Sequence, residues 1–338
     1  MPQIYARPLT AGDTIAVFSP SSAATAFAPQ RYQRAKAFIE SQGFFLQEGS
    51  LTGKKDFWRS GSIRERADEF NALLHDPNVR CIISAIGGLN SNSLLPYIDY
   101  AQLMKDPKII IGYSDVTALL AGIYQKIGLI TFYGPAVVAS FGEFPPLVEQ
   151  TFEHFLNILS KPQALPYTLS QPAEWTEEML DWETQPRAKT LRPGSWCFEG
   201  EGKVEGRVIG GNLNTLYGIW GSEYMPDINR GDILFIEDSL LNTAELEREF
   251  SHLLLCGVFD RVAAIILGRH ELFDDQGSGK TPLQILREVL NDREIPIVSD
   301  FDCCHTHPML TLPLGVRMRI DFDSREISLT SKWLEAAQ

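Results

Sequence analysis

The chain has 338 residues, of which 44% are hydrophobic and 22% charged, and a formal charge of −13. That length predicts two lobes rather than one, and the ordinary composition excludes a disordered or fibrous protein. The acidic balance argues against nucleic acid as a partner, because phosphate binding needs a basic face, and leaves small molecules and peptides.

The opening "MPQIYARPLTAGDTIAVFSP" shows no charged-then-apolar leader, and no stretch approaches the roughly 18 to 20 apolar residues of a membrane span, so a cytoplasmic location without membrane contact is expected. Cys81, Cys197, Cys256, Cys303 and Cys304 are odd in number and scattered, which fits a reducing compartment and no disulfide framework.

In chain order, "DTIAVFSPSS" reads as a strand leaving into a Pro/Ser loop, and "RYQRAKAFIESQG" as a helix closed at Gly43. "SIRERADEFNALLHD" pairs Ser62 with Glu65 in capping-box spacing and sets Ile63, Ala67, Phe70 and Leu74 on one face. "RCIISAIGG" and "KIIIGYSD" are buried strands ending in Gly87-Gly88 and at Ser114. Alternating strands and helices predict a parallel sheet whose functional groups collect at the carboxyl ends of the strands.

The pattern then breaks. Residues 166–201, rich in Pro, Thr and Trp, read as a linker carrying a short helix on which Trp175 and Trp182 share a face. It separates an N-terminal α/β domain, 1–165, from a β-rich domain, 202–338. The latter has strand-like "GKVEGRVIGG", "DILFIED", "VAAIILG", "IPIVSD", "VRMRIDFD" and "EISLT", with helices near "TAELEREFSHLLL" and "TPLQILREVLND".

The tight turn "GYSD" would expose the Ser114 hydroxyl as a nucleophile, although Val116 stands where a nucleophile elbow has its second glycine; the alternative is a helix N-cap. "SDFDCCHTHPM" brings His305 just past a strand as a candidate general base, with His307 as its competitor. Glu237, ending "DILFIE", is positioned to accept the Nδ1 hydrogen of an imidazole, or else to serve as a surface acid. Adjacent Cys303 and Cys304 lack zinc spacing and are expected to be buried packing thiols, with no metal. An amide from the Gly87-Gly88 turn, together with that of Asp115, would form an oxyanion hole, with Asn90, Ser91 and Asn92 as nearby polar donors; the alternative is a simple glycine turn into a capped helix. G-x-G-x-x-G is absent, which disfavours a dinucleotide.

Taken together and in order, "IGGLNSNSLLPYIDY", "KIIIGYSDVTALL", "FYGPAV", "GGNLNTL", "LFIEDS" and "DFDCCHTHPMLTLPLG" resemble the LD-carboxypeptidase family of serine peptidases over nearly the whole chain. The long "ILFIEDSLLNTAELEREFSHLLLCGVFDRVAAIILGR" and "EWTEEMLDWE" look more like its microcin C immunity branch than its muropeptide branch. The resemblance implies a flavodoxin-like parallel-sheet N-terminal lobe, a β-rich α/β C-terminal lobe, an active site between them and a homodimer. It places a Ser-His-Glu triad on Ser114, His305 and Glu237 and the oxyanion amides on Gly88 and Asp115, without metal or cofactor. The implied reaction is hydrolysis of an amide joining an aspartyl-like group to a nucleotide-like moiety. Asn92, Trp175, Trp182 and Asn212 are the expected substrate contacts, with Trp175 and Trp182 either stacking on a base or packing their loop onto the body of the protein. The alternatives are a muramoyl-tetrapeptide LD-carboxypeptidase and a catalytically silent binding protein.

Overall fold

The structure is a computed structural model that describes residues 2–160 and 164–335; residues 1, 161–163 and 336–338 lie outside the described residues. The first lobe carries strands β1 (Thr14–Phe18), β2 (Phe45–Glu48), β3 (Val79–Ser84), β4 (Ile109–Gly112) and β5 (Thr131–Tyr133). They are parallel and lie in the order β5-β4-β3-β1-β2, that of a flavodoxin-like doubly wound sheet. β4 is buried along its whole length, as expected for a central parallel strand read as a continuous apolar run. The Ser62–Glu65 capping box forms as predicted and opens helix Ile63–His75.

Between the lobes the prediction of a short helix fails. Tyr167–Thr168 (β6), Glu174–Trp175 (β7), Arg192–Pro193 (β8) and Cys197–Glu199 (β9) are short strands, and residues 182–184 form a turn. The reason is local: Asp181 Oδ1 accepts from the amides of Glu183 and Thr184, and Thr176 Oγ1 accepts from the Glu178 amide. Such side-chain bonds to nearby amides compete with the helical pattern. Thr176 also exchanges two backbone hydrogen bonds with His307, which ties this stretch to the far end of the chain.

The second sheet adds β10 (Lys203–Asn212), β11 (Ile233–Glu237), β12 (Ala264–Gly268) and β13 (Ile297–Phe301), all parallel. Leu312–Leu314 follows as β14, then Arg317–Asp321 as β15 and Glu326–Leu329 as β16. The order β6-β16-β15-β10-β11-β12-β13-β9 mixes parallel and antiparallel neighbours. β14 leaves this lobe and pairs antiparallel with β5 of the first. The loop 302–311 is therefore strung from the second sheet to the first, and His305 lies on it. One hydrophobic core runs through the junction and contains Ile111, Tyr133, Phe235, Phe301 and Leu312.

Candidate active site

Ser114 sits at the carboxyl end of β4 with φ 59°, in the left-handed region that a non-glycine residue enters at a cost of about 1 to 2 kcal/mol. The turn is held from two sides. The Ser114 amide donates to the hydroxyl of Tyr133 at 3.0 Å. The Asp115 carboxylate, buried under the turn, accepts from the amides of Asn90 and Ser91 at 3.2 and 3.0 Å and so draws the Gly87–Ser91 loop against Ser114. Burial raises the Asp115 pKa, opposed by hydrogen bonds from Ser21, Ser91 and Asn90.

Glycine is required in that loop. A Cβ on Gly87 would lie 3.0 Å from Ser114 Cβ and 3.2 Å from the Asp115 amide nitrogen, and Gly88 has φ 150° with its missing Cβ aimed at Ser21. Only a bare backbone lets the Gly87–Gly88 segment approach the serine this closely.

Across the cavity, His305 Nδ1–H donates to Glu237 Oε2 at 2.7 Å; 12% of the His305 side chain and none of the Glu237 side chain reach solvent. Glu237 is the last residue of β11, and its neighbour in register, Asn212, ends β10. Asn212 Nδ2 donates to Glu237 Oε1 at 3.0 Å and to Asp238 Oδ1 at 3.2 Å, and Tyr133 Oη–H also donates to Glu237 Oε1. Burial would raise the Glu237 pKa, but the His305 charge and these hydrogen bonds hold it below the ordinary value. For His305, burial lowers the pKa, and the Glu237 charge and hydrogen bond overcome it, leaving the imidazole at about 9. The Tyr113 ring meets the imidazole edge-on with centroids 4.9 Å apart.

Ser114, Gly88, His305 and Trp182 line one cavity of about 270 Å³, together with Tyr113, Lys189 and Glu271. It lies where the loops after β1 and β3 diverge, the ligand position expected of a doubly wound sheet. His307 also lines it but faces Glu143, 3.8 Å from Nε2, and burial, followed by the Lys189 charge, depresses its pKa to about 3. Of the two histidines, His305 is the one joined to a carboxylate at hydrogen-bond distance.

Three expected substrate contacts lie elsewhere. Trp175 does not line the cavity: its ring is held between the guanidinium groups of Arg192 and Arg269, at 3.8 and 4.4 Å from the centroid. Asn92 Nδ2 donates to the Gly218 carbonyl at 3.0 Å and lines a separate small recess. Asn212 stands behind Glu237, its Oδ1 capping helix Leu213–Tyr217. These polar or aromatic side chains are occupied by neighbours that a single sequence does not reveal. Trp182, by contrast, does face the cavity, backed by the Arg31 guanidinium 4.6 Å from its ring centroid. Tyr133 is signalled in the sequence only by "FYGPAV", in which a tyrosine closes a strand, and nothing in the sequence marks Lys189. Cys303 and Cys304 are fully buried, as expected.

Fold and site together define a two-lobed α/β protein with a serine-bearing turn facing a cavity, and the comparisons give its family. Residues 15–134 match the LD-carboxypeptidase N-terminal domain and residues 205–320 the LD-carboxypeptidase C-terminal domain. The chain belongs to the LD-carboxypeptidase family of hydrolases. It is 63% identical to a protein of Vibrio cholerae serotype O1 that carries a carboxypeptidase name, over 98% of this chain and 99% of that one. It is 57% identical to the microcin C7 self-immunity protein MccF of Escherichia coli, over 98% of this chain and 97% of that protein. A solved structure of MccF in complex with aspartyl sulfamoyl adenosine superposes with a TM-score of 0.97 at 58% identity, covering 98% of this chain and 100% of that one.

Proposed function

We propose that this protein is a serine hydrolase that cleaves the amide between an aspartyl-like aminoacyl group and a nucleotide-like moiety, thereby disarming antibiotics of the microcin C type. The observation that carries the reading is a strained, strand-end serine sharing one cavity with a histidine whose far nitrogen is bonded to a buried carboxylate. The similarity to MccF supplies the substrate class.

In this reading Ser114 Oγ attacks the carbonyl carbon while His305 Nε2 takes its proton, and Glu237 stabilises the imidazolium through Nδ1. The amides of Gly88 and Asp115 donate to the oxyanion. Collapse breaks the C–N bond as His305 returns its proton to the leaving nitrogen. Water, deprotonated by the same imidazole, then releases the acid and frees the serine. Trp182, which lines the cavity beside the Phe27 ring stacked on it, contributes an aromatic wall for a base, and two copies of the chain work as a homodimer in the cytoplasm.

Mass spectrometry of the products tests the reaction. Incubation with aspartyl sulfamoyl adenosine should yield aspartate and the sulfamoyl nucleoside, with a higher kcat/KM than release of the terminal residue from an L,D-linked tetrapeptide. The opposite ranking would assign the muropeptide reaction, and saturable binding with no product from either would leave a silent binding protein. Light scattering in solution tests the dimer.

A further inference from the structure

Tyr133 closes β5, belongs to the first lobe, and is fully buried, yet its hydroxyl lies on the acid of the second lobe. The hydroxyl has one hydrogen to give, and it goes to Glu237 Oε1; one lone pair accepts the Ser114 amide at 3.0 Å. Burial, reinforced by the Glu237 charge, raises the Tyr133 pKa well above its ordinary value, so the group stays a donor toward the carboxylate. A single oxygen atom thus touches both the backbone of the strained serine and the carboxylate that orients His305. No other described side chain is bonded to both.

We infer that Tyr133 is a positioning residue for the hydrolytic reaction, locking the Ser114 turn and the Glu237–His305 pair into one register across the two lobes and moderating how much of the Glu237 charge reaches the imidazole. The inference rests on the serine hydrolase reading above.

Two physical consequences follow. The donated amide is committed to tyrosine, so the Ser114 amide takes no part in oxyanion binding. The carboxylate is shared: Tyr133 and Asn212 hold Oε1, and His305 holds Oε2. A donor on one oxygen withdraws charge from the other, so a weaker donor leaves a more basic imidazole and a stronger donor a less basic one. The other groups facing His305 are Asp238 beside Glu237, His270 and Glu271 after β12, His307 on its own loop, and the Tyr113 ring; the substitutions below leave all of them in place.

The test uses the full chain with three side chains at position 133: the native tyrosine, the Tyr133→Phe substitution, and 3-fluorotyrosine, which nearly keeps the shape and is the stronger donor. Two quantities are read: the pH dependence of kcat/KM on an aspartyl sulfamoyl nucleoside, and the rate at which a fluorophosphonate labels Ser114. Tyr133→Phe should lower kcat by roughly 10- to 100-fold with a smaller change in KM, because the reacting groups lose their register. Its acid limb should move toward higher pH, whereas fluorotyrosine should move the limb toward lower pH. A merely structural tyrosine would change thermal stability without moving the limb. Limbs that coincide in all three proteins, or that move in the reverse sense, overturn the inference, and the fluorotyrosine protein decides the matter if the phenylalanine variant does not fold. Failure of the underlying reading looks different: the native protein itself would neither hydrolyse the substrate nor be labelled at Ser114.

Discussion

The cavity has two unlike walls. On the Ser114 side, regular elements fix the serine, since a buried parallel strand ends, the chain turns through φ 59° and helix Thr117–Ile127 begins, while His305, on the loop 302–311, is held by Glu237 at the end of β11. On the Trp182 side, the stretch from β7 to β8 has almost no regular structure and is held by side chains. Arg192 pairs with Glu177, Arg187 with Glu178, and Lys189 with Glu143, while Arg31 lies on the Trp182 ring. The contrast is what a specificity-bearing hydrolase requires, since bond-breaking groups need sub-ångström constancy, which strand ends supply. A wall that selects a substrate is more readily remodelled when its conformation depends on replaceable pairs.

Breaking the rigid wall should have the largest effect. Ser114→Ala and His305→Ala are each expected to lower kcat/KM at least about a thousandfold, and the double variant should be little worse than either, since the groups act as a unit. Steady-state kinetics on purified variants checks this. The same wall predicts a pH dependence: His305 must be neutral to accept a proton, and its pKa is about 9, so kcat/KM should rise through the neutral range and level off near that value. A pH–rate profile checks it. The stability contribution of the His305–Glu237 pair has the opposite course, since a raised imidazole pKa stabilises the fold fully below its unfolded value and the benefit is lost as pH rises through about 9.

Smaller effects should come from the second wall. Glu143 is buried and shared by Arg31 and Lys189, so Glu143→Gln leaves two cations without their carboxylate and should destabilise the fold by about 3 kcal/mol, measured by denaturant melts. Trp182→Ala should raise KM for nucleotide-bearing substrates by roughly ten- to a hundredfold, with kcat much less affected, because a base stacked on an aromatic ring is worth about 1 to 3 kcal/mol. Trp175→Ala should leave KM unchanged and lower only Tm, the ring being enclosed by Arg192 and Arg269. Arg192→Ala, which removes both an ion pair whose arginine side chain is 52% exposed and the cation on the Trp175 ring, should lower stability by about 1 to 2 kcal/mol.

The same division explains what could be read from the chain alone. The first sheet was legible because its strands are continuous apolar runs and its helices carry caps, as Ser62 with Glu65 shows. Ser114 and Glu237 were legible because each closes an apolar strand, and His305 because it follows one closely, and the structure brings His305 and Glu237 to 2.7 Å and sets Ser114 on the cavity that His305 lines. The Trp175–Trp182 stretch was misread as a helix, since its conformation follows from Asp181 and Thr176 bonding to nearby amides and from a bridge to His307, distant in sequence. Asn92 and Asn212 looked like ligands for the same reason: their partners, the Gly218 carbonyl and Glu237, become neighbours only in the fold. Tyr133 escaped notice because a buried tyrosine in an apolar strand is ordinarily packing, and only its contact with Glu237 in the other lobe gives it a different meaning.

The central claim, that Ser114 is a nucleophile activated from the other lobe, is tested most directly by treating the native chain with a fluorophosphonate and mapping the adduct by peptide mass spectrometry. A single adduct on Ser114, formed in the native protein and at least about a hundredfold more slowly in His305→Ala, is the expected result. An adduct on another residue, or equal labelling of Ser114 with and without the imidazole, would contradict it.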